Sequence, residues 1–343
     1  MSPVESSTKI PALARLRRRH QALWALRTHL VAQGFWELDT PLLVPGPGLE
    51  PHLDPLAVQV RTGVDGPSEA RWLITSPELS LKRCLALGAR KIFQLGHVFR
   101  DGERTKRHSP EFTLLEHYRA PGSLDDMVLD VEELVEVAAR ALEVPALPRP
   151  YARATVAELF LRHAGIDLGA MLQAHERGDA DALVRAAREA GAQLRPGADF
   201  EDAFAGVMDQ LVEPALPRER PTMVARWPSP MAVLARRCDD DPNFAERFEI
   251  YAFAAGAPGD ARPLELCNAF DELTDAVEQR ARFHEDNAKR RRLGKPELPL
   301  DEAFLAALPA LPRCAGCALG VDRLLMLLLG AEHIDDVSTL PWR

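Results

Sequence analysis

Two stretches of strict alternation frame a run that has none. Over residues 91–100 (KIFQLGHVFR) a period of two puts Gln94, Gly96, Val98 and Arg100 on one face, with Phe93, Leu95, His97 and Phe99 on the other. Over 111–118 (EFTLLEHY) it brings Phe112, Leu114, Glu116 and Tyr118 together. Both read as strands. The connecting residues 101–110 hold Arg104, Lys106, Arg107 and His108 and predict an open basic loop rather than a tight hairpin turn. Arg100 would then end the first strand facing a cleft, with an aromatic plate, a carboxylate and a phenol lined up on the second. Taken alone, the pattern fits a solvated surface loop beside a core aromatic equally well.

Helical periodicity appears elsewhere. Residues 13–33 predict a helix whose apolar face is largely Leu13, Leu16, Leu23, Trp24 and Leu30, with Arg15, Arg17, Arg18, Arg19 and His20 on a solvated side. Ser123 followed by 124–142, acidic early and ending near Arg140, predicts a capped helix. The stretch 145–221, rich in Ala, Arg and Pro, predicts helices at 156–164, 181–190 and 202–211, a helical insertion packed on the sheet. Near the C-terminus Gly316, Ala318 and Gly320 alternate, small enough for backbone and ligand to approach closely. The helix that follows, 321–329, is apolar on nearly every side and stops at Gly330, as a buried central helix would. Arg323 in its first turn opposes the helix dipole and calls for an anion, either a structural carboxylate or a bound phosphate.

Composition narrows the classes. A chain of 343 residues can bury a sizeable core as one large domain with an insertion. Its 42 Lys and Arg against 51 Asp and Glu leave a net charge of −9, which does not favour a polyanionic partner. No apolar run reaches the roughly 18 residues of a membrane span, and the polar N-terminus lacks a signal-peptide core, so no membrane and a cytosolic location are expected. Five scattered cysteines do not form a disulfide framework, and Cys314 with Cys317 is a lone CxxC lacking a second pair for zinc. Arg100 and Arg323, from distant segments, suit fixed cations around a polyphosphate.

Residues 34–41 (GFWELDTP), 99–118 and 316–327 resemble, in order, the three motifs of class II aminoacyl-tRNA synthetases. Residues 75–83 (TSPELSLKR) and 265–275 (ELCNAFDELTD) resemble the lysine-pocket segments of the lysyl type, and the likeness spans nearly the whole chain. It is greatest to the short branch that modifies translation elongation factor P with (R)-β-lysine. The resemblance implies an α+β fold, an antiparallel sheet flanked by helices, with ATP and Mg²⁺ as cofactors and a homodimer built through 34–41. Because the first motif lies within the first 41 residues, no anticodon-binding barrel is expected and tRNA is not an expected partner. Elongation factor P and (R)-β-lysine are.

Residue by residue, the resemblance implies that Arg100 binds the α-phosphate and Arg323 the γ-phosphate of a bent ATP. Phe112 would stack on adenine, with Asp101, Gly102, Glu103, His108, Ser109, Leu266 and Gly320 around the nucleotide. Glu265 and Glu272 would hold Mg²⁺ on the phosphates, one or both also meeting the substrate amine. Ser76, Pro77, Glu78, Glu116, Tyr118 and Ala318 would face the diamino acid, whose two ammonium groups need buried carboxylates. Asn268 would orient its carboxylate, which strict alternation permits only if a bulge or strand end separates it from Glu265. Three positions depart from the family pattern. Gly102 stands where the second motif has glutamate, with Glu103 one residue on, and Ser109 stands where many members have asparagine. Ala318 replaces a glycine of the lysyl type, and its methyl can exclude an α-amino group while tolerating one on the β-carbon. Two other readings stay open: an amino-acid-activating enzyme with another acceptor, such as a free amine or ammonia, and a non-catalytic regulatory paralogue.

Overall fold

The computed structural model describes residues 12–254, 257–259 and 261–342; the polar lead before residue 12 lies outside them. In chain order the elements are α1 (Ala12–Ala32), β1 (Trp36–Glu37), β2 (Leu43–Val44), β3 (Ala57–Arg61), β4 (Ser68–Leu73), α2 (Glu78–Ala86), β5 (Lys91–Phe99), β6 (Glu111–Arg119) and α3 (Leu124–Leu142). Then come β7 (Ala152–Thr155), α4 (Val156–Ala164), α5 (Leu168–Glu176), α6 (Ala182–Glu189), α7 (Phe200–Val207), β8 (Thr222–Pro228), β9 (Phe244–Ala252) and β10 (Leu264–Asp271). The chain closes with α8 (Ala276–Arg292), α9 (Glu302–Ala307), β11 (Ala315–Gly320) and α10 (Val321–Leu329).

Eight strands form one sheet in the order β1-β5-β6-β11-β10-β9-β8-β7. Its inner six strands are antiparallel, and only the edges β1 and β7 pair parallel. A small three-stranded sheet, β2-β4-β3, lies apart. The α+β architecture expected from the sequence is thus the one observed.

The two faces of the large sheet have different fates because the alternation of each strand is kept in register. Phe93, Leu115, Cys317, Cys267, Ala269, Phe248 and Ile250 share one buried core with α1, α3 and α10. Each fully buried side chain of this size contributes roughly 1.5–3 kcal/mol. The opposite face carries Glu116, Ala318, Asn268 and Glu249, which register as direct neighbours across β6, β11, β10 and β9. One polar row on an otherwise buried sheet marks the floor of a site.

Helix α1 forms where expected, and Leu23 and Leu30 of its expected face pack on the core, but the buried stripe is shifted: Leu13 is 80% and Trp24 62% exposed, while Arg19, Ala22 and Leu26 turn inward. Arg19 therefore leaves the solvated arginine group: it donates to Asp322 at 2.6 Å and to Thr113 Oγ1 at 2.6 Å. An ion pair that satisfies its guanidinium lets a charged residue occupy a helix position that apolar counting would not give it.

Between β7 and β8, helices α4 to α7 enclose a core of their own, with Phe160, Leu183 and Phe204 against Trp227 of β8 and Tyr251 of β9. Helix α5, capped by Asp167 accepting from the Ala170 N–H, was not evident in the sequence. Helix α7 starts at Phe200 because Asp199 and Asp202 form a capping box, ahead of the expected start at 202.

Candidate active site

A cavity of about 390 Å³ opens on the polar face of the sheet. The loop after β5 and the start of α10 supply two of its cations. Arg100 directly follows β5, stands 5.0 Å over the Phe112 ring and 3.8 Å from Glu103, and its buried Nε has no hydrogen-bond partner among the described residues. Arg323 donates to Glu265 Oε2 at 3.0 Å and to the Glu265 carbonyl at 3.1 Å, so the anion its helix position called for is present. It also meets His108 Nε2 at 2.6 Å. Burial, then the Arg323 charge, pushes the His108 pKa down. A neutral ring accepting from Arg323 at Nε2 carries its proton on Nδ1, which donates to Thr105 Oγ1 at 2.8 Å.

Glu103, Ser109 and Phe112 line the cavity beside these groups, as do Leu266 and Gly320. Asp101 and Gly102 do not. Asp101 is exposed and accepts from the Gly102 N–H at 2.9 Å. Gly102 adopts φ +76, where any side chain would be strained.

The bulge required for Asn268 exists: the β9–β10 register shifts between Glu265 and Cys267. Both Glu265 and Asn268 consequently line the cavity. Asn268 Oδ1 accepts from Arg247 Nε at 3.2 Å.

Beneath this floor lies an acid cluster. Glu116 accepts from Ser76 Oγ at 2.6 Å and from the Tyr118 hydroxyl at 2.7 Å. Lys82 of α2 pairs with Glu78 at 2.5 Å and with Glu272. One ammonium faces three carboxylates. Burial opposes the Lys82 charge, but Glu272 and Glu78 hold its pKa above the usual range. Burial, then Glu78, pushes Glu116 up to about 8. Such a cluster lacks positive charge and is suited to an ammonium ligand. Ser76 and Glu78 reach the cavity wall, whereas Pro77, Glu116, Tyr118 and Glu272 lie behind its lining.

Glu272, expected with Glu265 on one metal ion and also at the substrate amine, follows the end of β10 and pairs with Lys82 in this cluster. A second carboxylate on the cavity wall is Glu249, on the adjacent strand β9. Burial, then the Glu265 charge, pushes Glu249 up to about 7. Glu249 accepts from Arg247 at 2.6 Å and from the Tyr251 hydroxyl, and Glu265 from Arg323, so these hard oxygen donors could hold Mg²⁺ once those donors give way. Alternation over 247–251 places Arg247, Glu249 and Tyr251 on one face and was the available signal. Phe270, also on the cavity wall, follows the same rule from Asn268.

Small residues on β11 differ in purpose. A Cβ on Gly316 would come within 2.1 Å of Tyr118 Cε1, so that glycine makes room for the tyrosine ring. A Cβ on Gly320 would meet nothing closer than 3.7 Å.

An antiparallel sheet with an arginine after one strand, an arginine opening the last helix and acids between them defines a class II synthetase catalytic core. The chain belongs to that family: the model for tRNA synthetases class II (D, K and N) matches residues 8–343. Within it, the chain is 36% identical over 328 residues to a Histophilus somni (strain 2336) protein named elongation factor P--(R)-beta-lysine ligase, covering 95% of this chain and 94% of the relative. A protein of the same name from Proteus mirabilis (strain HI4320) is 36% identical over 352 residues, 99% of each chain. Another, from Haemophilus influenzae (strain PittGG), is 36% identical over 323 residues, 94% of this chain and 93% of the relative.

Proposed function

We propose that this protein is an ATP-dependent ligase that activates (R)-β-lysine as its acyl-adenylate and passes the acyl group to the ε-amine of a lysine on translation elongation factor P. One observation carries the reading: two arginines from distant segments border the same cavity whose floor leads to the Glu78, Glu116 and Glu272 cluster. The first suits a polyphosphate and the second a diamino acid. The names of the relatives supply the acceptor.

In activation, Arg100 holds the α-phosphate and neutralises charge as the substrate carboxylate attacks phosphorus and pyrophosphate leaves. Arg323 releases Glu265 to bind the γ-phosphate, and Phe112 offers its ring to adenine. Glu249 and Glu265 would hold Mg²⁺, which supplies charge neutralisation on the phosphates. Asn268 orients the substrate carboxylate, while Glu116 with Tyr118 and Ser76 takes the distal ammonium. Transfer then needs an amine nucleophile placed at the activated carbonyl.

The protein acts without tRNA, in the cytoplasm, as a homodimer. The exposed apolar side chains Trp24 and Val31 of α1, Trp36 of β1, and Leu42 and Leu43 support pairing through the 34–41 region. No described helix is long and apolar enough to cross a membrane. The deciding experiment supplies ATP with (R)-β-lysine or L-α-lysine to purified elongation factor P, with total tRNA in parallel. One acyl addition on the protein, favoured by the β-isomer and absent on tRNA, is expected. Pyrophosphate exchange without acylation of elongation factor P would move the acceptor elsewhere, and no exchange with any diamino acid would sink the ligase reading.

A further inference from the structure

The far wall of the cavity carries charges that adenylation does not use. Glu50, Glu201 in the first turn of α7 and Asp286 in α8 converge there with His52 and Lys289. Glu201 is satisfied, bridging His52 Nε2 at 2.8 Å and Lys289 Nζ at 2.6 Å. Asp286 is not: it is 2% exposed, and its Oδ2 has no hydrogen-bond partner among the described residues. Burial, with Glu50, Glu201 and Glu285 opposing Lys289, pushes its carboxyl up to about 7.

Position gives that unpaired oxygen a purpose. A second cavity, of about 320 Å³, is walled by Leu172 and His175 of α5 and by α8. It shares Pro230, Val233, Asp286 and Lys289 with the first, so Asp286 stands at the junction. On the other side Asp286 feels the charge of Glu50, and Glu50 that of Arg100, the α-phosphate ligand. A side chain reaching in through the second cavity would meet Asp286 before the acyl phosphate.

We propose that Asp286 receives the ammonium of the incoming acceptor lysine and removes its proton before attack on the adenylate. The proposal rests on the reading that an acyl-adenylate is discharged to an amine. An N–H bond of the ammonium breaks towards Asp286 Oδ2, leaving a neutral amine with its electron pair. That pair forms the bond to the acyl carbon. As the tetrahedral centre collapses, the acyl C–O bond breaks, its electrons leave with AMP, and the second surplus proton passes to water. A carboxylate that is partly ionised at neutral pH is matched to such a transfer.

The test compares single-turnover discharge of preformed adenylate to elongation factor P, to Nα-acetyl-lysine amide and to hydroxylamine, which is already neutral at neutral pH. In Asp286→Asn, discharge to both lysine amines is expected to fall by on the order of 10²-fold relative to discharge to hydroxylamine. Asp286→Glu, which keeps a carboxylate, should restore much of the loss. Equal slowing towards all three nucleophiles, or no slowing towards any, overturns the proposal. Wild-type enzyme that ignores elongation factor P but discharges to the lysine amide with the same Asp286 dependence would remove the acceptor and leave the role of Asp286 standing. Absence of pyrophosphate exchange would remove both.

Discussion

Arg19 in α1 and Asp322 in α10 form a buried ion pair, Nη1 to Oδ1 at 2.6 Å, between residues 303 positions apart. The other Asp322 oxygen accepts from the Thr113 N–H at 2.6 Å, next to Phe112. The pair thus ties the N-terminal helix to the strand bearing Phe112 and to the helix bearing Arg323. Breaking a buried pair from one side strands the other charge, which costs roughly 3–5 kcal/mol. Arg19→Met is expected to lose about that much stability in urea denaturation and to weaken ATP binding. A loss below about 1 kcal/mol would make the pair incidental.

Arg323 is held by Glu265 and His108, so the phosphate role proposed for it requires exchanging partners. Arg323→Ala is expected to lower ATP–pyrophosphate exchange by roughly 10²–10³-fold, the scale for removing a charge-stabilising donor from a transition state. His108→Ala should cost far less, since His108 only accepts from that guanidinium. Unchanged exchange in Arg323→Ala would remove the residue from the phosphate site.

Diamino-acid binding is pH-dependent if the distal ammonium is received, as proposed, by Glu116. Its folded pKa of about 8 lies above the ordinary 4.5, so the unliganded fold prefers the protonated form. The stability this confers is present at low pH and lost as pH rises towards about 8. An ammonium ligand prefers the ionised form, so affinity should rise with pH over the same interval, with protons released on binding at neutral pH. Titration calorimetry in two buffers of different ionisation enthalpy measures that release. Glu116→Gln should abolish it, and persistence of the full release in that variant would place the proton on another group.

Much of the sheet was legible in the sequence because alternation survives wherever one strand face is buried. Strands β5 and β6, the cavity positions of Arg100 and Phe112, and the Glu265–Asn268 bulge follow from it, whereas Arg323 was placed by the first turn of a helix. Arg19 was misread because a helix face holding an arginine looks solvated until its partner, far along the chain, is known. The pairing of Glu272 with Lys82 was hidden for a related reason. Spacing along one strand says which face a carboxylate occupies, but its partner Lys82 comes from another segment. Glu249 was missed because strand β9 resembles no motif, although its own alternation turns the glutamate inward.

Ala318 and Gly316 occupy the same face of β11, and the same kind of substitution should have opposite consequences at the two. Ala318 lines the cavity between its register partners Glu116 and Asn268, so its methyl faces the space proposed for the substrate. Ala318→Gly frees space for an α-amino group, and the kcat/KM ratio for L-α-lysine over (R)-β-lysine in pyrophosphate exchange should rise by roughly 10-fold or more. That corresponds to a methylene-sized difference of about 1–3 kcal/mol. Gly316→Ala instead drives a methyl to within 2.1 Å of Tyr118 Cε1 and 2.8 Å of Glu272 Oε1. It should destabilise the fold by about 1–3 kcal/mol and weaken activation of both isomers alike. If Ala318→Gly leaves the ratio unchanged, discrimination must lie in the Glu116 side of the pocket, and the methyl has no part in it.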